Sequence, residues 1–365
     1  HSEMFVFEKL VVLAGVLDAF VVPHAATPRR TRCVFASGGV PRMDGADLHS
    51  ILLHAHAQQQ RVWEKQLAQA DAATILDLFA QDGAYFDASN LVLAALRVAK
   101  RGGRRVRSDP RLRQLADACR ERVAEFSPRD LANAALAFAT ADVATAQLLP
   151  LIAAAALPRL GPDFSARQLA DVAWALAKAR TPAPQPFFEA IAAEASTRVP
   201  EFSSTAMANA AWAFAKARVP APALFEAIAA EASTRVSEFG SLDMGIMVWS
   251  FAKSGVSAPH LFRAIAAEAA PRLVEFTPHS IANTAWAFAK AGVAAPPLFD
   301  AIAAEASTRI AEFHPHSLSN TAWAFAKAGS IAENLFEAIA SRACTRVSDF
   351  HPQGISNTAW AFAKT

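Results

Sequence analysis

Six of the seven tryptophans in this chain fall in one register: Trp174, Trp212, Trp249, Trp286, Trp323 and Trp360, at successive spacings of 38, 37, 37, 37 and 37 residues. Each begins a short stretch that closes on a lysine, at Lys178, Lys216, Lys253, Lys290, Lys327 and Lys364. Chance does not place six of seven tryptophans at a fixed period, so the chain must be a tandem array of one supersecondary unit. An earlier copy, Asn133 to Thr140, has Leu136 in the tryptophan place, and a more decayed copy ends at Lys100. Seven clear units therefore span 109–365, after a degenerate lead-in over 46–108.

One unit shows what each copy folds into. Pro296 and Pro297 break the preceding segment and start a helix, since proline suits the first helical position. Leu298, Phe299, Ile302, Ala303, Ala306, Ile310 and Phe313 recur at helical spacing and make one apolar stripe. His314-Pro315 turns the chain into a second helix carrying Leu318, Ala322, Trp323, Phe325 and Ala326. Lys327 and Gly329 end it, a cation near the negative helix terminus and a glycine to stop the turn. Ser127-Pro128, Thr277-Pro278 and His351-Pro352 are equivalent starts, and Ser165 with Gln168 forms a capping-box pattern. Two such helices cannot bury both sides of their stripes alone. Stacked neighbours can, with alanines letting helices approach, so the expected fold is an all-α solenoid of helix–turn–helix repeats with a concave groove and a right-handed superhelix.

Composition agrees: hydrophobic residues make up 53% of the chain, there are only 14 glycines, and alanine dominates, which favours helix. The net charge of +2 does not by itself announce a nucleic-acid binder. Cys33, Cys119 and Cys344 lie too far apart to form a paired framework, as suits a reducing compartment. The first residues differ from the rest. Residues 4–45 combine Met4 as a start, the apolar run Leu10 to Leu17, and an acid-free stretch with Arg29, Arg30, Arg32 and Arg42. A short apolar core is a signal-peptide feature and an acid-free, arginine-bearing stretch a transit-peptide feature. Together they resemble bipartite presequences that direct proteins to secondary plastids, with Ala19-Phe20-Val21-Val22-Pro23 as a loose cleavage motif. The expectation is a plastid protein with no membrane segment in its mature form. Because the chain stops on a second helix, a further C-terminal part is also expected.

Units such as Pro315 to Gly329, PHSLSNTAWAFAKAG, resemble octotricopeptide repeats, degenerate units of about 38 residues found in algal organelle proteins of the chloroplast translation-factor type. The resemblance implies sequence-specific binding of single-stranded organellar RNA, controlling maturation, stability or translation of a plastid transcript. It also implies contact with other RNA-processing proteins. Many members end in a small RAP domain, which nothing here matches. One unit departs from the pattern: Gly240 to Trp249 lacks both the turn proline and the asparagine, with Ile246 in its place.

Several recurring positions are candidates for contact. The tryptophans are either stacking platforms for bases or packing between helices; their flanking alanines favour the structural reading. The lysines are either phosphate contacts or partners of the helix dipole. Arg198, Arg235, Arg272, Arg309 and Arg346 each have an acid three residues on, which favours local ion pairs. Asn133, Asn209, Asn283, Asn320 and Asn357, three residues before the tryptophan place, read as bracing, because a repeated residue cannot discriminate bases. Discrimination must come from what varies, as in modular RNA readers. The third residue after the turn runs Arg129, Arg167, Thr205, Leu242, His279, His316, Gln353. The next runs Asp130, Gln168, Ala206, Asp243, Ser280, Ser317, Gly354. The polar members of these two columns are the base-reading candidates. Arg101, Arg104 and Arg105, in the basic cluster Arg97 to Arg113, join the lysines as phosphate candidates.

No Walker loop, GxSxG elbow or HExxH is present, and His54-Ala55-His56 and His314-Pro315-His316 lack further ligands at metal spacing. The chain is expected to bind without catalysing and to need no cofactor or metal. A protein–protein scaffold is the second reading, since solenoids commonly serve that role. A nuclease with its catalytic part beyond this sequence is the third.

Overall fold

A computed structural model describes residues 45–142, 147–179, 185–330 and 332–364. The presequence expectation, with Cys33, lies outside them. The chain divides at Gln69/Ala70 into two units. In the first, the described part is one helix, Gly45–Gln69. The second is the repeat array, and it already includes the helix pair Ala72–Asp82 and Ala88–Arg101. There is no strand among the described residues, and none of their helices is long and apolar enough to cross a membrane.

The array has two layers. First helices, such as Pro222–Thr234 and Pro296–Thr308, form one layer. Second helices form the other: Pro128–Ala141, Ala166–Lys178, Ser204–Ala217, Ser241–Ser254, Pro278–Ala291, Pro315–Ala328 and Pro352–Phe362. Successive second helices pack more closely than successive first helices. The reason is in the sequence: Ala210, Ala211, Ala285 and Ala322 are buried and carry no bulk to hold the backbones apart. A stack whose one layer is spaced more tightly curves with that layer inside, so the second helices line the concave side. The all-α solenoid expected from the period is the fold observed.

The helix ends follow the local chemistry. Ser127 and Ser165 make complete capping boxes with Asp130 and Gln168. Gly292 and Gly329 take left-handed conformations, φ 69° and 67°, that close their helices. Arg218 holds the equivalent place at φ 59°, where a Cβ is strained. Arg218→Gly is therefore expected to stabilise the array by about 1 kcal/mol, read by urea titration.

Most first helices end in a short 3-10 turn and a phenylalanine in extended conformation, such as Phe202, Phe276 and Phe313, all buried; after Leu148–Ala156 the extended residue is Leu160. The recurring arginine of the following unit reaches this turn. Arg235 Nη1 donates to the Phe202 carbonyl at 3.1 Å and Arg309 Nη1 to that of Phe276 at 3.0 Å. Arg122, Arg159 and Arg198 donate likewise to the carbonyls of Phe86, Phe126 and Phe164. Arg198, Arg235 and Arg309 also pair with acids on both sides, Arg309 with Glu305 and Glu312 at 3.0 Å each. The recurring arginines thus make local ion pairs, as expected, and at these three positions they are also a staple between repeats that satisfies a carbonyl left without a helical partner. Arg309→Ala should cost about 1–2 kcal/mol, seen as a lower urea midpoint.

Candidate nucleic-acid interface

The concave layer places four recurring positions on one stripe. In Pro278–Ala291 they are His279, Asn283, Trp286 and Lys290; in Pro315–Ala328, His316, Asn320, Trp323 and Lys327. Offsets of four, three and four residues keep to one face of an α-helix. Each side chain is half-buried or exposed. The stripe therefore runs variable residue, amide, indole, ammonium from the helix start to its end, and stacking repeats it sideways as a ladder.

The tryptophans differ from their expected place in the core. None of the six is fully buried, and the ring that fills the core is the phenylalanine two residues later. Phe214, Phe251, Phe288 and Phe325 are at 0% exposure and meet first-helix Phe188, Phe225, Phe262 and Phe299 edge to face, with centroids 4.9–5.2 Å apart. Two residues turn a helix through about 200°, so a buried phenylalanine puts the tryptophan on the opposite side. There the indoles meet each other across repeats. Trp174 and Trp212 lie 5.9 Å apart between centroids, Trp286 and Trp323 6.4 Å, and Trp323 and Trp360 6.4 Å, all tilted by 33–36°.

The first variable column stays on this stripe, two turns below the indole, and most of its members are held by a polar neighbour. His279 and Asn283 are joined by a hydrogen bond of 3.0 Å, His316 and Asn320 by one of 3.2 Å. Gln353 donates to Asn357 at 2.9 Å, and Arg167 lies 3.5 Å from Asp171. Thr205 donates to Asp243 of the next repeat at 2.7 Å. Arg129 is exposed. Burial, with His316 and His314 nearby, holds the His279 imidazole below its ordinary pKa.

The second variable column is corrected. Ser280 and Ser317 are buried at 3% exposure, and Ser280 lies beside Gly245 of the neighbouring second helix. Asp130 and Gln168 are committed to capping Ser127 and Ser165. A residue one step along the helix is turned about 100° from the ladder, into the contact between repeats. These four cap helices and pack repeats, and they do not face the groove.

Among the cations, Lys216, Lys253, Lys290, Lys327 and Lys364 are exposed at the ladder's end, and no carboxylate among the described residues pairs with them. Lys178 is half-buried, its ammonium 4.5 Å from the Trp174 ring centroid; burial and the nearby Arg107 lower its pKa. Arg107, Lys178 and Lys216 surround a cleft of about 480 Å³ whose wall includes Trp212. Arg107 comes from the basic cluster Arg97 to Arg113, and the fold brings it beside the lysines of two later repeats. Arg101 is already spent on the carbonyl of Ala70. The side chains of Arg104 and Arg105 lie outside the described residues. The recurring arginines do not share the lysine face, being tied into their own ion pairs.

Cys119 is buried and its thiol is pushed up to about 12 by desolvation, while Cys344 is exposed. Among the described residues no group of three or more His, Cys, Asp or Glu side chains is placed to hold a metal ion.

A helical-repeat solenoid with an aromatic and cationic ladder along its inner layer is the class of protein defined here. Residues 109–365, the seven repeats, match the family model described as RNA-editing substrate-binding complex 6 protein, and the chain belongs to that family. The chain matches none of the curated proteins searched.

Proposed function

We propose that the repeat array binds single-stranded RNA along its second-helix face, one nucleotide per repeat, and acts by binding without catalysis. The observation that carries this is the ladder: six of the seven repeats offer one incompletely buried indole, one lysine and, two turns below the indole, one variable side chain, and the first repeat has Leu136 and Thr140 in place of the indole and the lysine. Indoles supply sequence-tolerant stacking, lysines follow the backbone, and the variable residues Arg129, Arg167, Thr205, His279, His316 and Gln353 meet base edges. Rungs about 6 Å apart exceed the roughly 3.4 Å rise per nucleotide of a stacked strand. A strand matched rung for rung is therefore extended and unpaired. The family name, which joins RNA-editing substrates to binding, supports the same partner.

The presequence-like start and the likeness to octotricopeptide repeats support a plastid setting, with a transcript as the target and its maturation or translation as the outcome. The family name also denotes a complex, which favours protein partners beside RNA; the first-helix side would receive them and leave the ladder open.

The test is selection from a random single-stranded RNA pool at two salt concentrations. A short enriched motif, bound more weakly as salt rises, is the expected result. Weak binding without a motif would move the function to the protein scaffold.

A further inference from the structure

The ladder is broken once. Trp249 makes no ring pair with Trp212 or Trp286, whereas Trp174–Trp212 and Trp286–Trp323–Trp360 are in contact. The same helix, Ser241–Ser254, is the one whose reading positions are aliphatic: Leu242 stands in the variable place, 58% exposed, and Ile246 in the amide place. Elsewhere a polar pair occupies these positions, as in His279–Asn283 and Gln353–Asn357. Larger residues also enter its packing faces, Met247 and Val248 where Pro278–Ala291 has Thr284 and Ala285.

From this we infer that the array reads RNA in two blocks separated by one position at which base identity is ignored. The inference rests on the RNA reading above and adds its register. Bases are told apart by patterns of donors and acceptors on their edges. Leu242 and Ile246 offer neither, and uracil lacks the methyl group by which an aliphatic side chain selects thymine. A nucleotide crossing this repeat meets apolar surface that accepts any base, while Lys253 keeps its phosphate on the path. Arg129, Arg167 and Thr205, with Trp174 and Trp212, form the first block. His279, His316 and Gln353, with Trp286, Trp323 and Trp360, form the second.

The experiment is selection from a random single-stranded RNA pool with the full chain, its L242H/I246N variant and its H279L/N283I variant. Thermal unfolding of each is compared first. The expected wild-type motif has two constrained blocks around one position with near-equal base frequencies. L242H/I246N should gain at least a tenfold preference at that position and leave the blocks unchanged. H279L/N283I should erase preference at the next position and widen the gap to two. A motif constrained without a gap overturns the inference and leaves RNA binding standing, as does a folded L242H/I246N variant whose motif equals that of the wild type. If L242H/I246N does not fold, H279L/N283I decides: a widened gap supports the inference and an unchanged motif overturns it. No enrichment at all overturns the RNA reading together with the inference.

Discussion

Phe325→Ala is expected to unfold the C-terminal repeats, while Trp323→Ala, two residues away, is expected to leave the fold nearly intact and remove a large part of RNA affinity. Phe325 is at 0% exposure with its ring 5.0 Å from that of Phe299. Truncating a buried phenylalanine costs about 3–5 kcal/mol, through lost transfer energy and the cavity left behind. In a repeat array each unit is held only by its neighbours, so the loss is felt locally. Urea titration should show an early transition for the terminal units ahead of the main one. Trp323 is half-buried and touches Trp286 and Trp360 through tilted ring contacts, each worth about 0.5–1.5 kcal/mol. Its removal should lower the urea midpoint less than that of Phe325 and leave the terminal repeats folded. If it is a platform for a base, affinity should fall by about 1–3 kcal/mol, roughly five- to 150-fold. Trp323→Ala unfolding as readily as Phe325→Ala would return the indoles to the core and remove the ladder as a site.

The contrast between these neighbours also marks how far the amino-acid sequence alone is legible. The period of the tryptophans leads directly to the array, because only a stacked helical unit reproduces that spacing. Caps at Ser127 and Ser165 and the glycine stop at Gly329 follow from local backbone chemistry and are visible in the same way. The role of the tryptophans is not, although the geometry that decides it is simple. A phenylalanine and a tryptophan two residues apart on a helix cannot both face one core, and the flanking alanines do not say which of them does. The first variable column is separable from the second by the same geometry: His279 shares a face with Trp286 and Lys290, Ser280 does not. What no pattern supplies is contact between repeats. The Arg309 bond to Phe276 joins residues one unit apart, and the cleft of Arg107, Lys178 and Lys216 gathers side chains from separate helices.

The second large effect concerns charge. Replacing Lys216, Lys253, Lys290, Lys327 and Lys364 together by glutamine should flatten the salt dependence of RNA binding more than any other change of comparable size. Counterions released from a single strand contribute a slope of about −0.7 per phosphate neutralised. Five lysines, each meeting one phosphate, would account for a difference of about 3.5 in the slope of log affinity against log salt. Each ammonium is exposed and unpaired among the described residues, so removing it leaves no buried acid behind, and stability should change little. Arg309→Ala is the matching control. Its guanidinium is already held by Glu305, Glu312 and the Phe276 carbonyl, so its loss should lower stability and leave the slope unchanged. The two variants thus separate a charge that holds repeats together from charges that meet a phosphate backbone. Binding curves at several salt concentrations, beside urea titrations of the same proteins, decide between them. A slope unmoved by the five substitutions would mean that the lysines only complement their helix ends, and that the inner face of the array is not where a nucleic-acid backbone runs.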